Sequence, residues 1–566
     1  MPKIPGHRIA LAAHIMILTS SKTPSLVMRA APWLLVAALL IINARWLWLY
    51  RHGQPLDIDE AGYLSLSLID YYGLLHGGIT GWIAAIEAPS IQAPLTMALS
   101  SLLFEATGPH VIVAFIVPVL AGAGCVAAAY GLARTIGPPR AALLAAVLTA
   151  SCPVIVSYSR SYQFSLPATL VTTTALFAML RSRHFRDIRW TLIFGVCLGL
   201  MPLARTMTLA FIPGMIAAAL VVLIVDKADR LRRTLSATSA LLLGILVAAI
   251  WFWPNGKAVA DYLLSFGYGQ HALEYGPRTS KLGFDAWVTM AQAFVRDIYL
   301  PHFLALLLGG LALAYLVLRT AARQGIGPTT HRVLHSQMLP IVVFAAEALV
   351  VLTTSSNKGS GFFGPVLPSL AVLTSCAFAR LSESRSVRAA VAVVIGVVAV
   401  VAALPALDLH TPFAPEWVVH VPVLQYVTVT DGRGTIQRDE MRGGYRSEDA
   451  VEPIDKVSGQ AWVDLSNQTA SLISQIFGAN AIVAFGFRNE LYNVNTLNLQ
   501  QLLRTQGAYS VRQVDPIETG ESVVGYLDWL RGEDGDFCVL LTSDRISGDF
   551  APAINRAFME EAAREA

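Results

Sequence analysis

A polytopic α-helical membrane protein with a C-terminal α/β domain in water is the fold class predicted here, on three observations. The 566 residues are 55% hydrophobic and 14% charged, with mean hydropathy +0.56. A soluble chain of this size carries about 25% charged residues. The apolar residues also fall in runs of roughly 17 to 25, long enough to cross a bilayer as helices. The charge is partitioned as well. From Ala406 onward there are 23 acidic and 12 basic residues, a balance of −11, against +14 for the preceding part. A basic, apolar body and an acidic tail belong to different environments.

The elements follow in order. Residues 1–32 are expected to be a cytoplasmic tail, because the apolar stretch Ile9–Leu18 is too short to span and no small-residue cleavage site follows it. Met28, beside Arg29, would make an equally sensible start. Spans are expected to begin near Trp33, Val111, Ala141, Phe164, Trp190, Leu209, Leu235, His302, Met338, Pro365 and Ala389, about 11 transmembrane helices within residues 33–405. Arginine and lysine gather in alternate loops, at Arg134–Arg140, Arg181–Arg189, Lys227–Arg233, Arg319–Arg332 and Arg380–Arg388. The positive-inside rule assigns these to the cytoplasm. Eleven spans then put residues 406–566 outside, together with the loops 51–93 and 254–300.

Within the first outer loop, Leu64, Leu68, Tyr71 and Leu75 recur at helical spacing, as do Ile79, Trp82, Ile83 and Ile86, with Gly73, Gly77 and Gly78 between them. Two short helices at the membrane surface or packed over the bundle are predicted. The loop 254–300 is rich in aromatics, including Tyr262, Tyr268, His271 and Trp287. Such residues form an interfacial belt or a mobile cover over a ligand. In the tail, Ala481–Gly486 and Phe537–Thr542 read as short buried strands and Ala461–Phe477 as an amphipathic helix. No phosphate loop, dinucleotide fingerprint or nucleophile motif occurs there, so the tail is expected to be an accessory domain. The five cysteines are scattered without a metal-binding spacing.

The most informative stretch is Asp57-Ile58-Asp59-Glu60-Ala61-Gly62-Tyr63, three carboxylates within four residues just past the first span. Ionisable groups near the hydrocarbon mark chemistry or a substrate path by default. The alternative is that Asp59 and Glu60 cap a helix or pair with an arginine, and Asp57 reads as a loop residue.

The arrangement resembles the GT-C glycosyltransferases, and within them the branch holding protein O-mannosyltransferases and lipid A aminoarabinose transferases. The resemblance rests on Asp59-Glu60-Ala61-x-Tyr63, then Ala93-Pro94-Leu95, then Ser157-Tyr158-Ser159-Arg160. It continues in Gly195-x-x-x-Gly199-Leu200-x-x-Leu203-Ala204-Arg205 and in Gly361-Phe362-Phe363-Gly364-Pro365-x-x-Pro368. Two positions depart from it. Gln92-Ala93 stands where members often carry a charged pair, and Gln163 where many place an acidic residue.

The resemblance implies a GT-C fold and transfer of a sugar from a polyprenyl-phosphate donor to an extracytoplasmic acceptor. By the same analogy Asp59 is the base for the acceptor hydroxyl, with Glu60 orienting the acceptor. Arg160, Arg205 and Lys358 fall at predicted outer helix ends and are the candidates for the donor phosphate, which guanidinium groups bind in a two-pronged way. Each has a structural or snorkelling alternative. Glu87, Gln163, Tyr268 and His271 are further candidates for substrate contact. No cofactor is implied. Asp57-x-Asp59 resembles the manganese motif of soluble nucleotide-sugar transferases, but a lipid-phosphate donor has no pyrophosphate needing such a clamp. Membrane lipids are expected partners and nucleic acid is not. A transporter or flippase would show internal repeats and midplane charges, and Glu347 is the one nearly mid-helix carboxylate. A non-catalytic envelope scaffold would keep the motif without its activity.

Overall fold

A computed structural model of the chain describes residues 26–226, 228–269, 271–274, 279–381, 393–394, 396–398, 416–431, 456–478, 481–486, 491–507, 510–513, 522–531, 537–541, 560 and 563–564. The expected span at Ala389 and most of the N-terminal tail lie outside these residues.

The body is helical throughout. α1 spans Leu26–Tyr50, α2 Ile58–Glu87, α3 Leu95–Thr107, α4 Ile116–Ile136, α5 Pro139–Ala150, α6 Pro153–Tyr158 and α7 Ser165–Arg181. α8 spans Ile188–Ala204, α9 Ile212–Val225, α10 Arg230–Tyr268, α11 Phe284–Gln324, α12 Ile326–Leu334, α13 Leu339–Thr354 and α14 Leu367–Leu381. Ten of the expected span starts fall on these helices or on the residues that lead into them. Among the described residues six helices are long and apolar enough to cross a membrane, and a seventh if α12 and α13, bent by 84°, count as one. α5 and α8 are shorter apolar helices. The buried core lies among α4, α5, α7, α8, α9, α13 and α14, while Leu242, Leu246, Ile250 and Trp253 of α10 point outward, as a lipid-facing helix requires.

Small residues set one of the closest contacts. A side chain at Gly195 of α8 would collide with the Ala240 carbonyl of α10, and one at Gly199 with that of Gly244. The two backbones therefore touch along a seam, the packing mode that membrane helices favour.

The first outer loop is a helical hairpin. α2 breaks at Gly78 (φ 59°), and its two arms meet where Gly73 faces Gly81. The expected loop 254–300 is a correction: α10 runs on to Tyr268 and α11 starts at Phe284, so only about residues 269–283 lie between helices. α11 is itself broken at Tyr299 (φ 62°), two residues before Pro301, which removes a backbone donor and ends the preceding turn.

In the tail, β1 (Glu416–Val421) and β2 (Gln425–Asp431) form an antiparallel hairpin. Val423 at its turn accepts a hydrogen bond from Gln292 of α11 at 2.8 Å. A second sheet is parallel, in the order β4-β3-β5: β3 is Ile482–Phe485, β4 Ser510–Gln513 and β5 Val539–Leu541. α15 (Lys456–Phe477) and α16 (Val494–Thr505) pack against one another, and α17 spans Val523–Arg531. α16 seats on α2: Leu499 and Leu502 join the core that holds Leu64, Leu68 and Tyr72, and the Tyr72 hydroxyl donates to the Leu502 carbonyl at 3.0 Å.

Candidate active site

The acidic motif starts a helix, and that start decides what each carboxylate does. Asp57 is the N-cap of α2, its Oδ1 accepting the Glu60 amide at 2.8 Å. Glu60 is fully buried and ion-paired to Arg51. Its other oxygen accepts the Ser161 hydroxyl and the Tyr162 amide, each at 2.9 Å. Three donors within the protein thus hold Glu60, which serves the fold. Asp59 projects to the other side, and its exposed side chain borders a cleft of about 650 Å³. Protein surrounds it closely enough to push its carboxyl up to about 6; desolvation does most of this, the Glu60 charge adds to it, and Arg205 opposes both.

The three expected phosphate ligands separate in the same way. Arg160 is fully buried: its Nε donates to Asn43 at 2.8 Å and its guanidinium lies 4.6 Å from the centre of the Trp46 ring. It ties the Ser157–Gln163 turn to α1, as the structural alternative for this residue has it. Lys358 is also buried, with its ammonium donating to the carbonyls of Leu352, Thr353 and Ser355. It caps the end of α13, where the helix leaves its last carbonyls without partners. Burial, with a smaller push from Lys281, brings the ammonium down to about 8.

Arg205 remains. It stands at the C-terminal end of α8 and is half-buried. Its Nη1 donates to the Ser165 hydroxyl at 2.7 Å and to the Gly361 carbonyl at 3.1 Å, and its guanidinium lies 4.4 Å from the centre of the Phe362 ring. No carboxylate lies within ion-pair distance of it among the described residues. Gly361 (φ 76°) adopts a backbone conformation suited to glycine, and a side chain there would meet the Tyr158 ring. Its amide donates to Asp297 at 2.9 Å, and Asp297 also pairs with Arg296 at 3.3 Å. One short turn therefore links Arg205 to a buried carboxylate without letting them pair.

The cleft beside Asp59 is lined by Tyr63 of α2, Gln92, Asn255 of α10 and, from the tail domain, Asn495 and Asn498. Asn255 clamps the loop after α2, accepting the Ser90 amide at 2.9 Å and donating to the Glu87 carbonyl at 3.4 Å. Tyr262 of α10 stands within electrostatic reach of both Asp59 and Arg205. The remaining candidates do not border the cleft. Glu87 is exposed at the end of α2 and Gln163 is half-buried in its turn. Tyr268 meets Thr354 at 3.2 Å and Lys281, while His271 bonds Ser265 at 2.8 Å and stacks on Phe266. Sequence reasoning missed Ser165, Asp297, Asn495 and Asn498, and it named Tyr262 only within the aromatic stretch after Trp253. Only Asp297 left a signal, a carboxylate heading an apolar stretch with a proline four residues on. No three His, Cys, Asp or Glu side chains converge as a metal site among the described residues.

The site can be set beside known proteins. A family model described as dolichyl-phosphate-mannose-protein mannosyltransferase matches residues 91–256. No curated protein matches the chain in sequence. Among solved structures, ArnT from Cupriavidus metallidurans bound to undecaprenyl phosphate superposes with a TM-score of 0.51 at 14% identity, covering 90% of this chain and 89% of that one. Its apo form gives 0.52 at 15% identity, with 90% and 88% covered. The archaeal oligosaccharyltransferase AglB from Archaeoglobus fulgidus, in complex with an inhibitory peptide and a dolichol-phosphate, gives 0.52 at 12% identity over 90% of this chain and 69% of that one. The fold is that of the GT-C glycosyltransferases.

Proposed function

We propose that the protein is an integral-membrane glycosyltransferase that moves a sugar from a polyprenyl-phosphate donor to an acceptor on the extracytoplasmic side of the cell membrane. The observation that carries this reading is the unpaired state of Asp59 and Arg205. A carboxylate and a guanidinium lie within electrostatic reach, yet neither has an ion-pair partner among the described residues. An arrangement of that kind leaves room for a substrate between them. The undecaprenyl phosphate of the ArnT structure and the dolichol-phosphate of the AglB structure give the chemistry of the donor.

In this reading the acceptor hydroxyl gives its proton to Asp59 while its oxygen attacks the anomeric carbon. The bond from that carbon to the phosphate oxygen breaks, and the polyprenyl phosphate leaves with the electron pair. Arg205, prepositioned by Ser165 and the Gly361 carbonyl, meets the growing charge. A carboxyl held near 6 suits the base, because it is ionised at neutral pH and still basic.

The test uses the full chain in lipid nanodiscs with undecaprenyl phosphate as ligand. Arg205→Gln is expected to weaken binding by at least tenfold, and Arg205→Lys to keep part of it, since charge stays while the planar fork is lost. Undiminished binding in Arg205→Gln would place the donor elsewhere. Cysteine labelling checks the sidedness: Ser65 and Gln500 are expected outside and Arg186 in the cytoplasm.

A further inference from the structure

The tail domain forms part of the cleft wall. α16 brings Asn495 and Asn498 to the cleft that Asp59 borders. Asn495 is fixed there, its Nδ2 donating to the Ile58 carbonyl at 2.7 Å, one residue before Asp59, and it packs so closely on Gly62 that a methyl group there would meet its amide. Asn498 is different. Its Oδ1 is buried and has no donor among the described residues. A buried acceptor left without a donor is destabilising, a cost that a ligand hydroxyl would remove.

The cleft's charge is equally informative. Among the described residues Asp59 is its one charged lining residue, and no lysine, arginine or histidine lines it. Side-chain amides from three directions, Gln92, Asn255 and the α16 pair, supply the polar surface, and Ile91, Pro254 and Leu502 the apolar one. A phosphate or carboxylate entering here would be desolvated without a cation and would face Asp59. Amides that each donate and accept suit neighbouring hydroxyls, and apolar patches suit the C–H faces of a sugar ring.

We infer that this cleft, closed on one side by α16, binds a neutral, hydroxyl-rich carbohydrate as the acceptor, with Asn498 as a specificity-determining residue. The inference rests on the glycosyltransferase reading and deepens it. The tail domain then selects the acceptor, and the donor phosphate is confined to the Arg205 side.

The experiment measures binding of the full chain in nanodiscs to neutral oligosaccharides and to their phosphorylated counterparts. Each is offered free in solution and as a glycolipid in the disc. The neutral glycans are expected to bind in preference, and the free and lipid-linked arms distinguish a polysaccharide from a lipid acceptor. Asn498→Leu, similar in size but without the amide, is expected to weaken that binding by about tenfold or more while the affinity for undecaprenyl phosphate stays unchanged. Preference for the phosphorylated glycans, absence of neutral-glycan binding, or full binding by Asn498→Leu would overturn the inference. Should Asn498→Leu not fold, Asn498→Ser is read in its place, and the neutral-against-phosphorylated comparison stands on the unsubstituted protein. Failure of that protein to bind undecaprenyl phosphate would count against the donor reading and not against the acceptor cleft.

Discussion

The bundle carries a group of charges at each end, and α7 connects them, its Ser165 end touching Arg205 and its Arg181 end leading to His184 and Arg186. At the second end Arg186 pairs with Asp226 at 2.7 Å and with Asp229 at 3.4 Å. Arg233, buried, donates to the carbonyls of His184 at 2.7 Å and Val222 at 2.7 Å. Arg186, Asp226, Asp229 and Arg233 each have protein partners there, and the group ties the ends of α7, α9 and α10 together. At the first end the pairing is selective. Arg51 and Glu60 close on each other, Arg160 closes on Asn43 and Trp46, and Lys358 closes on three carbonyls. Asp59 and Arg205 are left open. Charge at a helix end is thus met by the protein's own groups at most of these positions, and Asp59 and Arg205 are the two that the proposed function uses.

Asp59→Asn should break the contrast hardest. Turnover, read as release of polyprenyl phosphate from a polyprenyl-phosphate-linked sugar, should fall by about 10² or more, with melting temperature and expression retained. Turnover within a few-fold of the unsubstituted protein would reject Asp59 as the base. The same carboxyl sets a pH dependence. Turnover should be flat above about pH 6 and fall below it as Asp59 takes up its proton. The raised value has the opposite sign for stability: the fold resists ionising Asp59, so its stabilising contribution is complete below 3.8 and is lost as pH rises through about 6.

Arg205→Gln comes next, with a loss of about 10² in turnover, the scale for removing one preorganised donor. Glu60→Gln sharpens the comparison from the structural side. It leaves Arg51 buried without its partner charge, a change that costs about 3–5 kcal/mol. The melting temperature should therefore drop far more than in Asp59→Asn, while the molecules that stay folded keep much of their turnover. The smallest effect belongs to the other end. Arg186→Gln removes an accessible pair and should leave turnover unchanged; a loss comparable to Arg205→Gln would show that the two ends are not separate in function.

Much of this was legible in the sequence. Length and hydropathy of the apolar runs marked the helices, and Asp59 and Arg205 stood out as charges in apolar or small-residue settings. Which neighbour closes on protein partners was not legible. Consecutive helical residues point about 100° apart, so Asp59 and Glu60 take opposite surroundings for reasons that lie in Arg51 and the Ser161–Tyr162 backbone. The partners of Lys358 were hidden for a related reason, since its acceptors are backbone carbonyls and leave no mark in side-chain patterns. The aromatic stretch after Trp253 read as a loop because a helix that continues past the membrane no longer shows a hydrophobic run. Asn495 and Asn498 were invisible because they reach the site only by the docking of α16 on α2, some 430 residues apart in the chain.

The seam of small residues between α8 and α10 gives the long helix a mechanical character. From Gly244 to Tyr262 there are eighteen residues of helix, about 27 Å at 1.5 Å per residue. Such a rod, touching its neighbour only at the seam, would swing at its far end. It is held a second time instead: Trp251 and Val259 are buried, and Asn255 is bonded to the Ser90 amide and the Glu87 carbonyl. Tyr262 lies only seven residues beyond Asn255, so the second anchor fixes where it stands relative to Asp59 and Arg205.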